Sequence, residues 1–282
     1  MKVLVVGAGL IGTSAGLALS RAGYEVQLVD ANPAHLASAV EMGAGAPLTE
    51  GFLPDIVLVA TPPASIAQVT ATYARQYVNA TFTDVGSIKT QPLLEIETIS
   101  ELASRFVGGH PMAGRETSGP TGARADLFVD RLWILTPSTS VTSDSCLLYT
   151  SDAEACGGVV RVMSAAEHDR AVALTSHTPQ VLASLMAGLI AQAPAADIQI
   201  SGQGLRDLTR IAGSNPELWS EILAANAQEV DTVLAAFEER LTAVRNALGT
   251  GASLHEMLHV GNAGRSRIPA KHGGESKTPD AV

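Results

Sequence analysis

A glycine-rich turn near the start of the chain, Gly7-Ala8-Gly9-Leu10-Ile11-Gly12, leaves few folds open to it. The apolar run before the turn, residues 2–6, predicts a buried β-strand, and a helical pattern follows the turn. A second predicted strand, residues 25–29, ends directly before Asp30. This order of strand, G-x-G-x-x-G turn, helix, strand and acid is typical of a dinucleotide-binding unit. The alternative is a glycine turn that binds nothing.

Each of the three glycines of the turn is required for a different physical reason. The first allows the tight turn, the second lets the backbone approach a pyrophosphate, and the third lets the helix pack on the strand. The pyrophosphate would lie at the helix N-terminus, where free N–H groups and the dipole favour an anion. Asp30 would hydrogen-bond the adenosine ribose and repel a 2′-phosphate, which favours NAD over NADP as the cofactor. The predicted cofactor-binding residues are Gly7, Gly9, Leu10, Ile11, Gly12, Asp30 and Thr61.

The first half of the chain alternates strand-like and helical patterns, which predicts a parallel sheet wound by right-handed crossovers. The predicted strands are rich in Val, Ile, Leu and Phe, as expected of strands covered on both faces. After the first two, they are residues 55–60, 81–84, 106–109 and 132–135. Helices are predicted between them, for example over residues 34–42 and 64–76.

The second half of the chain has a helical period only. Apolar residues recur at helical spacing over residues 216–248, and Asn215-Pro216 is a good helix start. Residues 165–193 also predict helix, with Pro179 expected to kink or break it.

The predicted fold class is therefore α/β: a Rossmann-like dinucleotide-binding domain followed by an all-α domain for dimerisation and substrate binding. We place the first domain at residues 1–163 and the second at residues 164–260. Residues 261–282 are rich in Gly, Pro, Lys and Arg, which predicts a tail that is flexible or docked on a partner subunit.

Composition argues against several classes of partner. The net charge of −10 disfavours contact with phosphate backbones, so we expect no nucleic-acid partner. The longest apolar run after the N-terminus, residues 181–191, is shorter than the roughly 20 residues that span a bilayer, so we expect no membrane partner. Two cysteines in 282 residues do not form a disulfide framework and fit a reducing compartment, which predicts a cytoplasmic protein.

One stretch, residues 138–155, departs from the pattern. It is rich in Ser, Thr and Asp where an amphipathic helix is expected between two strands. Within it, Cys146-Leu147-Leu148-Tyr149-Thr150-Ser151 can also be written as the translation of a common sequencing-adapter sequence. We hypothesise that the stretch is not native.

Ligands of open α/β sheets bind beyond the carboxyl ends of the strands, and this rule selects candidate catalytic residues. The fourth predicted strand runs into residues 84–89, and the fifth runs into residues 108–116. Ser87 and His110 are therefore expected to face the same crevice as the nicotinamide. An imidazole at that place can accept a proton while a hydride leaves for the cofactor. The alternative is a histidine that only satisfies loop carbonyls.

The same segments carry a resemblance. Residues 84–89 and 109–116 resemble the signature segments of the prephenate dehydrogenase family. Further segments similar to that family are Glu167-His168-Asp169, residues 175–179, residues 204–212 and residues 215–219. With the glycine turn, these motifs cover most of the chain in the order of the family. Residues 138–155 depart from the family pattern, and we expect no C-terminal regulatory domain of the kind that some relatives carry.

The resemblance implies oxidative decarboxylation of prephenate to 4-hydroxyphenylpyruvate, on the route to tyrosine. A hydride leaves the ring carbon that bears the hydroxyl, CO2 leaves the opposite carbon, and aromatisation drives both. His110 would take the hydroxyl proton as catalytic base, and Ser87 would orient that hydroxyl or the imidazole.

The substrate of this family carries two carboxylates, so a cation is required. Arg210 matches the family's carboxylate-binding arginine, and a guanidinium grips a carboxylate through two parallel hydrogen bonds. From spacing alone, an exposed helix pair of Asp207 and Arg210 would be favoured instead. The resemblance makes His177 a second substrate contact, the alternative being a capping or core histidine. Glu116 would pair with Arg210 to gate the site.

Several alternatives stay open. The substrate is prephenate or arogenate, or the chain is another two-domain NAD-dependent dehydrogenase of the β-hydroxyacid type. An NAD-sensing regulator without turnover would keep the glycine turn but would not need His110 and Arg210. His255-Glu256-Met257-Leu258-His259 matches the short zinc-peptidase pattern H-E-x-x-H, but no clear third ligand follows, and we predict no metal. Apolar helices and the resemblance predict a homodimer through the helical domain.

Overall fold

The computed structural model describes residues 1–114, 117–248 and 252–269. The described residues form one sheet with the strand order β3-β2-β1-β4-β5-β6-β7-β8. In chain order the strands are β1 (Lys2–Val6), β2 (Glu25–Val29), β3 (Ala46–Pro47), β4 (Ile56–Val59), β5 (Thr81–Asp84), β6 (Phe106–Pro111), β7 (Leu132–Pro137) and β8 (Val159–Val162).

All six predicted strands form, and β1, β2 and β5 begin and end at the predicted residues. The predicted fifth and sixth strands are each two residues longer, so His110 lies within β6 and not in the loop after it. The sequence pattern missed β3 and β8. β3 has only two residues, both exposed, and Arg161 interrupts the valines of β8, in which no residue is fully buried. Neither strand therefore has the continuous apolar run that is typical of a covered strand.

The prediction of a parallel sheet is wrong at one place, because β6 and β7 pair antiparallel. The other neighbouring strands pair parallel. The connection explains the exception. Between β6 and β7, the described residues contain a 3-10 turn (Pro120–Gly122) and no helix that would carry the chain back across the sheet.

Helices cover both faces of the sheet, and alternate residues of β1 point into two separate cores. Val3 and Val5 pack in one core with residues of α1, and Leu4 and Val6 pack in the other with residues of α3. The helices of this domain are α1 (Leu10–Arg21), α2 (Pro33–Glu41), α3 (Ile66–Gln76), α4 (Thr90–Glu97), α5 (Ser100–Ala103) and α6 (Ser143–Ala155).

The irregular stretch over residues 138–155 contains α6. Thr142 caps this helix, since its hydroxyl oxygen accepts a hydrogen bond from the backbone N–H of Ser145 at 3.2 Å. Tyr149 is fully buried, and the indole N–H of Trp133 donates to its hydroxyl oxygen at 2.8 Å. The stretch therefore packs as a helix, and the hypothesis that it is not native stays a prediction.

The chain after β8 is helical, as predicted. Its helices are α7 (Ala165–Val172), α8 (Thr178–Ala191), α9 (Ala195–Gln199), α10 (Gln203–Thr209), α11 (Pro216–Ala225), α12 (Ala227–Ala247) and α13 (Ala252–Ser266). The predicted helix over residues 216–248 is divided at Asn226. In the part of the chain described here, no helix combines the length and apolarity that a membrane crossing requires.

A π-helical turn, Ala173–His177, joins α7 to α8, and Pro179 is the second residue of α8. Pro179 has no N–H to donate to the carbonyl one turn earlier, so a regular α-helix cannot pass through this point with all its bonds. The predicted disturbance at Pro179 therefore takes the form of a wider turn. π-helical turns are frequent at functional sites, and this one ends in the fully buried His177.

A capping box fixes the start of α7. The hydroxyl oxygen of Ser164 accepts from the backbone N–H of Glu167 at 3.2 Å, and the Glu167 carboxylate accepts from the backbone N–H of Ser164 at 2.9 Å. The same carboxylate has a lowered pKa, chiefly because of the bond from the Ser164 backbone. The residues that follow on α7, His168 and Asp169, are thereby held at a fixed position against the sheet.

Replacing Ser164 by alanine should lower the free energy of unfolding by about 0.5–2 kcal/mol, because the first turn of α7 loses its cap. Chemical denaturation of wild type and variant measures the change. Ser220→Ala is the matched control, since Ser220 is exposed in the middle of α11 and alanine is the better helix former there. An equal loss of stability in both variants would argue against a special role of the cap.

Candidate active site

The predicted cofactor and catalytic residues gather at one edge of the sheet. Gly7 directly follows β1, Thr61 follows β4, and Ser87 follows β5. His110 is the last residue but one of β6. Because β1, β4, β5 and β6 run parallel, all four residues lie at the carboxyl edge, where ligands of such sheets bind.

The glycine turn combines two tightly packed glycines with one that faces open space. Gly7 has a φ of +107°, and a Cβ there would come within 2.5 Å of the Ala60 carbonyl oxygen. A Cβ on Gly12 would clash with the carbonyl of Gly7. Gly9 has an ordinary φ of −76°, and a Cβ there would meet nothing within 4 Å. The described chain itself does not need glycine at position 9, whereas a pyrophosphate at the N-terminus of α1 would.

The remaining predicted cofactor residues surround this open space. Leu10 and Ile11 are half-buried in the first turn of α1. The Asp30 carboxylate accepts from the backbone N–H groups of Ala8 at 2.6 Å and Asn32 at 2.7 Å, which fixes it beside the glycine turn. The Thr61 hydroxyl is buried and has no hydrogen-bond partner among the described residues. These residues fit a dinucleotide.

A buried ion pair, Asp84–Lys89, connects the ends of β5 and β6. The Lys89 ammonium contacts the Asp84 carboxylate and donates to the Gly109 carbonyl at 2.6 Å. The same carboxylate accepts from the backbone N–H groups of Gly86 at 2.9 Å and Gly109 at 3.1 Å. Burial lowers the pKa of Lys89, and the Asp84 carboxylate opposes this shift. The pair therefore holds the backbone on both sides of Ser87 and directly before His110.

The half-buried His110 contacts a second histidine that sequence analysis assigned no role. Its Nδ1 lies 2.8 Å from Nε2 of His168, with the two rings edge to face. Its Nε2 has no hydrogen-bond partner among the described residues, and neither has the half-buried Ser87 hydroxyl. Burial, followed by His168 and Lys89, moves the pKa of His110 well below its ordinary value. The ring is therefore neutral at pH 7, the state that can accept a proton.

On the side of its ring away from His110, His168 contacts the carboxylate of Asp169. Its Nδ1 lies 2.7 Å from Oδ1 of Asp169, and the backbone N–H groups of Lys89 and Thr90 donate to that carboxylate at 3.0 and 2.8 Å. Burial alone would raise the pKa of Asp169, but the bonds from His168, Thr90 and Lys89 lower it below its ordinary value. Both residues belong to the motif Glu167-His168-Asp169. Because the first member caps α7, the other two are the members that face inward.

His177 joins the same group of side chains through Asn226, at the break between α11 and α12. The Asn226 amide nitrogen donates to the Asp169 carbonyl at 2.8 Å and lies 3.0 Å from Nδ1 of His177. A carbonyl can only accept, so this bond fixes the orientation of the amide and makes Nδ1 the acceptor. Burial lowers the pKa of His177 to about 4. The neutral ring therefore carries its proton on Nε2.

The Nε2–H of His177 is buried and has no hydrogen-bond partner among the described residues. The ring of Trp219, which is half-buried at the start of α11, lies edge to face with it at 6.0 Å. A buried donor without a partner costs free energy, so a ligand oxygen is the expected acceptor.

Arg210 lies outside this buried group of histidines. It is exposed and begins a 3-10 turn, Arg210–Gly213, that packs against α8. Glu116, its predicted partner, falls outside the described residues. His255 and His259 are exposed on α13, and the described ranges contain no group of three His, Cys, Asp or Glu side chains that could hold a metal ion.

Comparison with known proteins assigns both halves of the chain. Residues 15–161 match the family model described as prephenate dehydrogenase, nucleotide-binding domain, and residues 164–259 match the model described as prephenate dehydrogenase, dimerization domain. The chain belongs to the prephenate dehydrogenase family. The predicted family and the predicted fold class are thereby confirmed.

Members of the prephenate dehydrogenase family resemble the chain over nearly its whole length. A probable prephenate dehydrogenase from Streptomyces niveus is 31% identical over 98% of this chain and 79% of its own. A crystal structure of prephenate dehydrogenase from Aquifex aeolicus, in complex with hydroxyphenyl propionate and NAD+, has a TM-score of 0.86 and 31% identity over 95% of this chain and 98% of its own. Arogenate dehydrogenase from Synechocystis has a TM-score of 0.77 and 28% identity over 94% of this chain and 99% of its own.

These findings confirm the predicted class of enzyme, an oxidoreductase of the prephenate dehydrogenase family with NAD as its cofactor. The matched N-terminal model is a nucleotide-binding domain, and the Aquifex aeolicus enzyme binds NAD+.

Two glycine variants should separate binding of the cofactor from folding. Gly9→Ala should melt close to wild type but bind NAD+ roughly tenfold or more weakly, because its methyl group occupies the space of the pyrophosphate. Gly12→Ala should lose about 1–3 kcal/mol of stability, because its methyl group meets the Gly7 carbonyl. Thermal melting and calorimetric titration with NAD+ measure both quantities. Unchanged NAD+ affinity in a folded Gly9→Ala variant would contradict the assignment.

Proposed function

We propose that this member of the family catalyses the NAD-dependent oxidative decarboxylation of prephenate to 4-hydroxyphenylpyruvate in tyrosine biosynthesis. The observation that carries the proposal is the neutral His110, whose Nε2 has no partner within the described ranges and which lies at the same sheet edge as the glycine turn. NAD+ supplies a hydride acceptor when it is bound. The chain must then hold the substrate hydroxyl and its two carboxylates.

His110 is the proposed catalytic base. Its Nε2 accepts the proton of the ring hydroxyl while hydride leaves the same carbon, which prevents a build-up of positive charge on the oxygen. CO2 leaves the opposite carbon, and the electron pair of that bond completes the aromatic ring. The phenolic oxygen of the product then takes the proton back. Ser87, whose hydroxyl lies at the same edge, orients the substrate hydroxyl or the imidazole.

Three residues complete the proposed substrate site. His177 donates its Nε2–H to a substrate oxygen, and this role is supported by the absence of a partner in the described chain. Arg210 binds a substrate carboxylate through two parallel hydrogen bonds. Glu116 pairs with Arg210 and gates the site, a role that rests on the resemblance alone.

Arogenate is the second candidate substrate, with an amine in place of the side-chain keto group of prephenate. The likeness to the arogenate dehydrogenase of Synechocystis favours it. The residue that faces the keto or amine group decides between the two substrates. Spectrophotometric assays of NADH formation with prephenate and arogenate in parallel measure the preference directly.

We also propose that the chain forms a homodimer through its helical domain, residues 164–260, with the dinucleotide domain at residues 1–163. Residues 164–259 match a dimerization domain, and large apolar side chains are exposed on its helices. Examples are Leu185 and Leu189 on α8 and Phe237 and Leu241 on α12. The predicted tail over residues 261–282 begins within α13, which continues to Ser266, and residues 270–282 lie outside the described residues. That the tail is flexible or docked on the partner stays a prediction, as does cytoplasmic location.

Replacing His110 by asparagine should abolish turnover and leave NAD+ binding intact, because the amide has no basic nitrogen. The measurements are NADH formation with both substrates and calorimetric titration with NAD+. His255→Gln on the exposed surface of α13 is the control and should keep full activity. Turnover by His110→Asn within threefold of wild type would rule out His110 as the base.

Replacing Arg210 by lysine should raise the KM for the substrate roughly 10- to 100-fold, because an ammonium cannot form the two parallel bonds of a guanidinium. The KM for NAD+ should not change. Arg206→Lys, one turn earlier and also exposed, is the matched control. Equal effects of the two substitutions would indicate a general loss of positive charge and would contradict a specific carboxylate contact.

A further inference from the structure

We propose that His168 and Asp169 act as a positioning and proton-accepting pair behind His110. The pair holds His110 with its proton on Nδ1, and it takes over that proton while His110 Nε2 accepts the proton of the substrate hydroxyl. The proposal rests on the proposed function, because it assumes that His110 is the base. His168 and Asp169 do not touch the substrate in this scheme.

The hydrogen bonds, taken with a neutral His168 in the resting enzyme, assign a place to each proton. The Asp169 carboxylate already accepts the backbone N–H groups of Lys89 and Thr90, and it has no proton of its own to donate. The short contact to Nδ1 of His168 therefore requires a proton on that nitrogen. In a neutral His168, Nε2 is then an acceptor. Nδ1 of His110, at 2.8 Å, must donate to it, so Nε2 of His110 is left unprotonated.

His110 alone is poorly placed to hold a positive charge. Burial opposes a positive charge on its ring most strongly, and His168, the Lys89 ammonium and His177 oppose it further. The nearby anion Asp84 is neutralised by its contact with Lys89. His168, by contrast, lies directly against the Asp169 carboxylate. The Asp169 carboxylate can therefore stabilise a positive charge on His168 by direct contact.

The proton transfer balances without any further reactant. The substrate O–H bond breaks and an N–H bond forms at Nε2 of His110. The N–H bond at Nδ1 of His110 breaks and one forms at Nε2 of His168, so the imidazolium now lies beside Asp169. Asp169 stays ionised throughout. When CO2 has left, the phenolic oxygen of the product, whose ordinary pKa is about 10, takes the proton back along the same path.

The order of the side chains is typical of a base whose ring a carboxylate orients, here with a second imidazole inserted. In enzymes of that kind, loss of the orienting group leaves the base with the wrong tautomer and lowers kcat by about 10⁴-fold. An aspartate buried in a helix beside two backbone N–H groups has an obvious structural role as well. The test therefore has to separate the tautomer from the fold.

Nitrogen-15 NMR of the histidine rings measures the tautomer without turnover. The chain has seven histidines, and His110→Asn identifies the signals of His110 by their loss. In the NAD+-bound enzyme at pH 8, we expect the proton of His110 on Nδ1. A proton on Nε2 of His110 in wild type would overturn the proposal, whichever substrate the enzyme uses.

Two variants of His168 supply the kinetic test. His168→Phe keeps a ring but has no acceptor, so kcat should fall roughly 100-fold or more with little change in KM. His168→Gln keeps an acceptor oxygen, so its kcat should exceed that of His168→Phe at least tenfold. The matched control His255→Gln should behave as wild type. Thermal melting and NAD+ titration show that each variant is folded.

The pH profile gives a further readout that a purely structural role would not move. In wild type, the acid limb of kcat reports proton uptake by the histidine pair, which Asp169 favours and Lys89 and His177 oppose. In His168→Phe, only His110 can take up the proton, so the limb should move to lower pH. Full kcat or an unmoved acid limb in a folded His168→Phe variant would overturn the proposal.

If wild type uses neither prephenate nor arogenate, the proposed function fails. The NMR measurement then still tests whether His168 and Asp169 hold His110 with its proton on Nδ1.

Discussion

The buried contact between Asp84 and Lys89 is the interaction on which the rest of this site depends. It ties the ends of β5 and β6 together through the backbone of Gly86 and Gly109, the residues next to Ser87 and His110. Removing one partner of such a pair typically costs about 3–5 kcal/mol, because the other charge stays buried alone. A pair of this kind is a weak source of stability but a strong constraint on geometry.

A second constraint crosses from the sheet to the helices. Asp169 accepts the backbone N–H groups at the start of α4, and its own carbonyl accepts the amide of Asn226. One residue of α7 thus connects the dinucleotide domain with the junction of α11 and α12. Asn226 also contacts Nδ1 of His177, and Asp169 itself contacts His168. The positions of His168 and His177 therefore both depend on Asp169.

Sequence alone predicted those features that depend on residues close together along the chain. The glycine turn, the acid after β2 and the strand ends around Ser87 and His110 all follow from spacing and from the rule for parallel sheets. The antiparallel turn into β7 could not be predicted, because strand-like residues carry no mark of direction. His168 was missed because a polar residue on a helix is usually exposed, and only packing against the sheet shows that this one is buried.

The wider turn between α7 and α8 has a consequence for the rotational phase of the helix. A regular helix advances about 100° per residue, so one residue more or fewer before position 177 would rotate its ring by that amount around the axis. Ala173–His177 contains such an additional residue. The inward direction of His177 thus depends on chain length between two fixed points, Asp169 and Pro179. A relative lacking one residue in this interval would need another side chain in its place.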